Sequence, residues 1–427
     1  MTAHDLCHFI HASPSPFHCV AEAARRLALA GFQTVDEAAE PARRAAGSGG
    51  YVVRGGSIVA WRLGSAPPAA AGFRIVGAHT DSPNLRLKPR PEVVKEGYVQ
   101  WGVEVYGGAL LSTWLDRDLG ISGRVAVRGP GGVELRLVRV DRPIARIPNL
   151  AIHLDREVND RGLVLNRQTH LAPIVALAAG GGADSALQTL LAAEGGCASE
   201  ELLGWDLGLH DVQPPVVGGL NGEFVFSPRL DNQASCFSAL EALLATTDVP
   251  RSTAVVALFD HEEVGSGSER GAASTLLGSV LARLEEEHED RAPGGLRRAA
   301  ASSLCVSVDM AHGVHPNYAD KHEPSHKPLL NGGPVVKTNV GMRYATDAET
   351  AARFRAACHA EEVPVQDFVT RSDLACGTTI GPITASGLGI RTVDVGCPML
   401  SMHSIREQCG ARDVVWMTRV LGRVLRG

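Results

Sequence analysis

The chain has 427 residues, 44% of them hydrophobic and 21% charged, with a net charge of -6. This is the balance of a soluble globular protein with a large core, and the acid excess argues against a general nucleic-acid surface. The length predicts two domains or one large domain with an insertion, and no apolar run is long enough to predict a membrane helix.

The start, Met1-Thr2-Ala3-His4-Asp5-Leu6, lacks the basic stretch and apolar core of a secretory signal. Nine cysteines are scattered between Cys7 and Cys409 with no C-x-x-C pair, the pattern of neither a disulfide framework nor a thiolate zinc site. A reducing, cytoplasmic setting is therefore expected.

Taken in chain order, the apolar residues over 6–32 recur at helical spacing and stop at Gly31, predicting one amphipathic helix. Phe73-Arg74-Ile75-Val76-Gly77-Ala78 predicts a buried strand that delivers His79 at its C-terminal end. From about Pro91 to Gly222 the texture changes to short alternating pieces. Gly123-Arg124-Val125-Ala126-Val127-Arg128, a Gly/Pro turn, and Val133-Glu134-Leu135-Arg136-Leu137 predict a β-hairpin there. The expectation is a β-rich insertion over 91–222 between two parts of a main domain, 1–90 and 223–427. Residues 176–194 are rich in alanine and glycine and predict a loop or a weak helix.

Beyond the insertion, helical patterns cover 233–245, 348–360 and 413–425, the last with Asp413 as its expected N-cap. Between them lie three strand-like runs, Ala254 to Phe259, Leu304 to Val308 and Ile390 to Val395. Strands alternating with helices predict an α/β fold with a mostly parallel central sheet flanked by helices.

Acids and histidines gather at the ends of these strands: His79 and Asp81, then Asp231, Glu262 and Glu263, Asp309, and finally His403. Zinc takes imidazole and carboxylate ligands converging from separate segments, and strand C-termini in an α/β sheet are where segments converge. Each residue also has a plainer reading. His79-Thr80-Asp81 alone is a common triplet, and Asp231 could simply cap the next helix. Glu262-Glu263 could be a solvated loop, although two adjacent acids after a buried strand repel each other without a cation. His312 and His315 put two imidazoles on a turn, either a zinc pair or, more commonly, polar loop histidines, and His403 alone reads as an ordinary loop or core histidine. The constellation favours chemistry: a ligand set for two metals and a glutamate base would hydrolyse an amide without a serine or cysteine nucleophile. No G-x-S-x-G, G-x-G-x-x-G or Walker A motif is present.

Gly77-Ala78-His79-Thr80-Asp81-Ser82-Pro83, Ser227-Pro228-Arg229-Leu230-Asp231-Asn232, Asp260-His261-Glu262-Glu263-Val264-Gly265-Ser266, Asp309-Met310-Ala311-His312 with His315-Pro316-Asn317-Tyr318, Cys376-Gly377-Thr378-Thr379-Ile380-Gly381-Pro382, and Met402-His403-Ser404-Ile405-Arg406-Glu407 run in order along nearly the whole chain. Together they resemble the aspartyl aminopeptidase family. The resemblance implies a zinc-peptidase-like fold and two zinc ions per subunit, with Mn2+ or Co2+ as substitutes. One ion would be held by Asp231, Glu263 and His403, the other by His79, Asp231 and Asp309, with Asp231 bridging. It implies Glu262 as general base and Asp81 as support for His79.

The substrates implied are peptides with N-terminal Asp or Glu. Lys337 is the first candidate for the selecting cation, with Arg343 and His312 after it; Tyr344, Gly377 and Thr378 complete the implied substrate-binding set. His153 resembles the histidine that reaches from the inserted dimerisation domain into a partner's active site, and dimers built into a dodecamer are implied. Arg371-Ser372-Asp373-Leu374-Ala375 departs from the family's usual asparagine and proline-containing turn, which bears on fine specificity. The competing expectations are a broader metallohydrolase (another aminopeptidase, a carboxypeptidase or an N-acyl amino acid deacylase) and, from another class, a non-catalytic binding or assembly protein.

Overall fold

A computed structural model describes residues 2–178, 186–290 and 294–427. The chain divides into two compact units. One comprises Met1–Asp81, Pro215–Met402 and Glu407–Gly427, and the other Ser82–Pro214 and His403–Arg406.

The first unit is built on a nine-stranded sheet. Thr253–Phe259, Phe73–His79, Leu304–Val308 and Arg391–Gly396 lie side by side and parallel at its centre. The hairpin of Gly49–Arg54 and Ser57–Arg62 joins one side antiparallel, and Val335–Lys337 with Gln366–Phe368 continue the other. The central strands are apolar on both faces because each face meets its own core. Val76, Ala78, Val256, Leu258, Val306 and Val308 pack with Leu6, Phe9, Phe237, Leu240 and Leu421. The alternate positions Phe73, Ile75, Val255, Ala257, Phe259 and Cys305 pack with Leu277, Leu281 and Leu284. That two-residue alternation is why a continuous apolar run folds here as a strand between helical layers. A smaller five-stranded sheet runs Val216–Gly218, Phe224–Ser227, Glu407–Gly410, Pro398–Leu400, Ala311–His312.

Two expected elements differ from what forms. The 6–32 pattern is two helices, Ala3–Ala12 and Pro16–Leu29, because Ser15 caps the second by accepting from the His18 amide and Pro16 occupies its first turn. Proline suits a first turn but not a helix interior, so an apolar periodicity that spans it is divided. The C-terminal helix is Ala411–Arg426 with Gly410 at its cap. Asp413 lies inside its first turn, and its carboxylate accepts instead from the amides of Asn331 (2.6 Å) and Gly333 (2.9 Å).

The second unit is an antiparallel six-stranded sheet, ordered Gly132–Ala145, Leu119–Gly129, Leu202–Asp211, Asn84–Lys95, Tyr98–Tyr106, Ile174–Leu177. The hairpin closes with Gly129 opposite Gly132. Trp101, Trp114, Leu119, Ile121, Val125, Leu187 and Leu191 fill its core. Of the stretch expected as loop or weak helix, Ala186–Gly195 is helical and 179–185 lie outside the described residues. All nine cysteines are free thiols. Among the described residues no helix is long and apolar enough to cross a membrane.

The Phe237 ring, fully buried, lies 5.7 Å from that of Phe9 and carries the Arg26 guanidinium 5.7 Å from its centre. Phe237→Ala is expected to lose roughly 3–5 kcal/mol of stability, read as a lower denaturant midpoint. An unchanged midpoint would show that this core face does not hold the helices to the sheet.

Candidate metal centre

His79 is the last residue of the Phe73–His79 strand and is 1% exposed. Its Nδ1 lies 3.0 Å from the Asp81 carbonyl oxygen, a contact that keeps a proton on Nδ1 and turns Nε2 toward the carboxylates. Nε2 faces a ring of carboxylates: Asp231 Oδ1 at 3.4 Å, Asp309 Oδ1 at 3.5 Å and Glu262 Oε2 at 3.9 Å. Ligand atoms of His79, Glu262 and Asp309 lie within 4.8 Å of one another, and so do those of His79, Asp231 and Glu263. The parallel strands bring this about, since their C-terminal ends all emerge on one edge of the sheet.

Each carboxylate is held from behind. Asp231 falls in the first turn of the Leu230–Leu244 helix, but its ψ of 104° is not helical, and its amide donates to Glu407 Oε2 at 3.0 Å. Asn232 next to it donates to the Val308 carbonyl at 2.9 Å, tying this turn to the strand that delivers Asp309. After the Thr253–Phe259 strand the chain makes a tight loop. His261 (φ 66°), Gly265 (φ 94°) and Ser266 (φ 61°) are left-handed around the single turn Glu262–Val264. That conformation costs a non-glycine residue about 1–2 kcal/mol, so other contacts must hold the loop. Asp81 is one: its two carboxylate oxygens accept the amides of Glu262 (3.1 Å) and Glu263 (3.2 Å).

Burial and charge crowding together set the electrostatics. Burial raises the pKa of Glu262 to about 7; the His79 charge opposes this, while Asp309, Asp231 and Asp81 add to it. Burial and the neighbouring Asp231 also push the Glu263 pKa well above the usual carboxylate range. Burial alone would lower the pKa of His79, but the Glu262 charge and the hydrogen bonds its ring donates to Asp231, Asp309 and Asp81 outweigh it and raise it well above normal. Carboxylates forced together around one imidazole in a dry site are the donor set of a divalent-cation centre, and oxygen plus imidazole ligands suit zinc. The residues present fit such an ion.

The remaining predicted residues divide by unit. In the first, Lys337 is buried, not a surface lysine: its ammonium lies 3.5 Å from Asp309 Oδ2, donates to the Met310 carbonyl at 3.3 Å and sits 5.1 Å over the Tyr344 ring. Tyr344, His312 and Gly377 line a cavity of about 300 Å³, which His315, Lys321, His322 and Arg371 also line. The protein around His312 and the Lys337 charge lower its pKa, against Asp231 and Asp309. Thr378 donates to the Arg343 carbonyl at 3.2 Å, and both are exposed. In the second unit, His153 is exposed, and His403 has its Nδ1 3.1 Å from the Gly108 carbonyl.

Sequence reasoning passed over two buried acids. Glu407, beneath Asp231, stood at the end of a motif from which only His403 was taken. Asp394 interrupts an apolar strand, which was a legible signal of a partnered buried charge. It accepts from the Ala345 amide and the Thr379 hydroxyl, each at 2.6 Å, and lies in the field of Lys337.

Residues 9–423 match the family described as Aminopeptidase I zinc metalloprotease (M18). The chain is 50% identical to Probable M18 family aminopeptidase 2 of Pseudomonas fluorescens over 98% of its own length and 96% of that protein's. It is 51% identical to the protein of the same description from Pseudomonas aeruginosa, with the same coverage. Among solved structures, that of the Ape4 and Nbr1 complex has 38% identity and a TM-score of 0.95 over 99% of this chain and 85% of that one. The Saccharomyces mApe1 dodecamer has 30% identity and a TM-score of 0.86 over 99% and 95%. With the fold, the carboxylate–imidazole site and these likenesses in agreement, the chain belongs to the M18 family of zinc metallo-aminopeptidases.

Proposed function

We propose that this aminopeptidase removes N-terminal Asp and Glu from peptides. The observation that carries the specificity is the placing of Lys321 and Arg371 on one cavity wall. His312, His315, Lys321, His322 and Arg371 line one hollow whose Tyr344 wall lies under Lys337, itself paired with Asp309. Such a wall attracts a substrate carboxylate, and the preference narrows as salt screens it.

Two zinc ions per subunit are proposed, held by His79, Asp231 and Asp309 and by Asp231, Glu263 and His403. When bound they supply Lewis acidity that polarises the scissile carbonyl and acidifies the attacking water. Glu262 takes that water's proton on its carboxylate and passes it to the leaving amine nitrogen. Burial and the surrounding carboxylates raise its pKa to about 7 in the metal-free protein, and bound cations would lower it toward the ionised form a base needs. Asp81 keeps Glu262 in place through its amide and keeps a proton on His79 Nδ1.

Self-association is proposed through the second unit. Leu150, Ile152 and Leu154 are exposed around His153, apolar groups that a subunit contact would cover. His153 then serves the partner's site. Nine free thiols fit a reducing compartment, and the cytoplasm is proposed as the location.

Metal-loaded protein should release Asp and Glu from arylamides faster than Leu or Ala, lose this with chelator, and lose about 10²–10⁴-fold in kcat on Glu262→Gln. Equal turnover of Leu would remove the acidic specificity, and an active Glu262→Gln would remove the base. Leu150→Asp with Leu154→Asp should give smaller particles by light scattering and lower activity. An unchanged mass would move the interface elsewhere.

A further inference from the structure

The loop that carries Glu262 and Glu263 is closed at its two ends by groups that no ligand assignment uses. Asp260 precedes it and Arg270 follows it. The Arg270 Nε donates to Asp260 Oδ2 at 2.9 Å, and a single hydroxyl joins the same two residues through the backbone. Ser57 Oγ accepts the Asp260 amide at 2.7 Å and donates to the Arg270 carbonyl at 2.8 Å. Inside the closure, Ser268 Oγ accepts the Gly271 amide at 3.0 Å and lies 2.7 Å from His261 Nδ1. The Ser266 amide donates to the His261 carbonyl at 2.7 Å.

Asp260 is 1% exposed, and burial together with the Asp81 charge disfavours its ionised form. The His261 and Arg270 charges oppose this, and the Arg270 guanidinium lies 5.9 Å from the centre of the Phe17 ring. The turn before Ser57 is shaped to fit. A Cβ on Gly56 would fall 2.3 Å from Asp260 Oδ2, and one on Gly55 would fall 2.9 Å from Arg270 Cδ.

We propose that the Arg270–Asp260 pair is a clasp that holds the 261–266 loop in its left-handed course, making Arg270 a positioning residue for peptide hydrolysis. The inference rests on the reading of Glu262 as base. With the clasp closed, the Glu262 and Glu263 amides reach the two oxygens of Asp81. With it open, His261 and Ser266 are free to leave the left-handed region, the amides leave Asp81, and the Glu262 carboxylate loses its register. Misplacement of a reacting group by about 1 Å costs rate on the order of a hundredfold, while substrate binding in a separate cavity is spared.

The test compares Arg270→Gln, Arg270→Lys, Asp260→Asn and the Arg270→Gln/Asp260→Asn double variant as metal-loaded protein with an Asp arylamide. Arg270→Gln should lower kcat by about tenfold or more, keep KM within about twofold and keep the wild-type zinc content by elemental analysis. Arg270→Lys should recover part of the rate, and the double variant should be no slower than the slower single, since both singles open one clasp. A kcat within about twofold of wild type for Arg270→Gln, a rate loss matched by zinc loss, or losses that multiply in the double variant would each overturn the clasp. Should Arg270→Gln fail to fold, Gly56→Ala crowds the same carboxylate without removing a charge. It should show the same kcat-selective loss, and a wild-type kcat there overturns the proposal. Glu262→Gln run alongside separates the two ideas: activity in that variant dismisses the base and the clasp's purpose with it. An inactive Glu262→Gln beside an intact Arg270→Gln dismisses the clasp alone.

Discussion

Carboxylates repel one another most strongly where water is scarce, and this chain gathers several around a single buried imidazole. Asp231 and Asp309 both lie within hydrogen-bonding range of His79 Nε2, and Glu262 is just beyond. At an effective dielectric constant of about 20, two unit charges 4 Å apart interact by about 4 kcal/mol. The arrangement is therefore unfavourable by itself and favourable around a divalent cation. Much of the first unit serves to keep it assembled: parallel strands that end on one edge, Glu407 under Asp231, Asn232 on Val308, and Lys337 against Asp309.

That constraint also explains why the supporting residues are polar and buried. A carboxylate that must point at a metal cannot satisfy itself elsewhere, so its backbone is fixed by neighbours instead. Asp81 does this for both glutamates at once, with one oxygen for each amide. Asp413 and Asp394 use the same device elsewhere in the core, the first accepting two backbone amides and the second one amide and the Thr379 hydroxyl. The cost of burying these acids is met by directed donors, and each donor fixes a loop.

Much of this was legible in the sequence where one strong signal stood alone. Apolar runs ending in His79, Glu262–Glu263 and Asp309 showed both the strands and the edge from which ligands emerge, because a polar residue directly after a buried strand has few places to go. The N-terminal pattern looks like one helix because apolar spacing persists across Ser15-Pro16, while the helical backbone does not. Asp413 has the composition of a cap, yet Gly410 takes that place and the carboxylate serves a turn far away in sequence. Long-range pairings of this kind, including Arg270 with Asp260 and Lys337 with Asp309, leave no periodic trace. They are decided by which loops the sheet order brings together.

A bound cation would relieve the charge crowding around His79. Glu262 is raised from 4.5 to about 7, and Glu263 and His79 are raised as well. In each case the folded metal-free protein holds protons that the unfolded chain has released. The stability they contribute is therefore full at low pH and is lost as pH rises, from about 4.5 to 7 for Glu262 and above 6.5 for His79. Zinc needs the deprotonated ligands and binds the folded state, so its stabilisation should grow over the same range. The measurement is the melting temperature of chelator-stripped and zinc-loaded protein at pH 5.5 and pH 8. The stripped protein should melt lower at pH 8 and the zinc-induced rise should be larger there, whereas a rise that is absent or equal at both pH values would show that carboxylate crowding is not what the cation relieves.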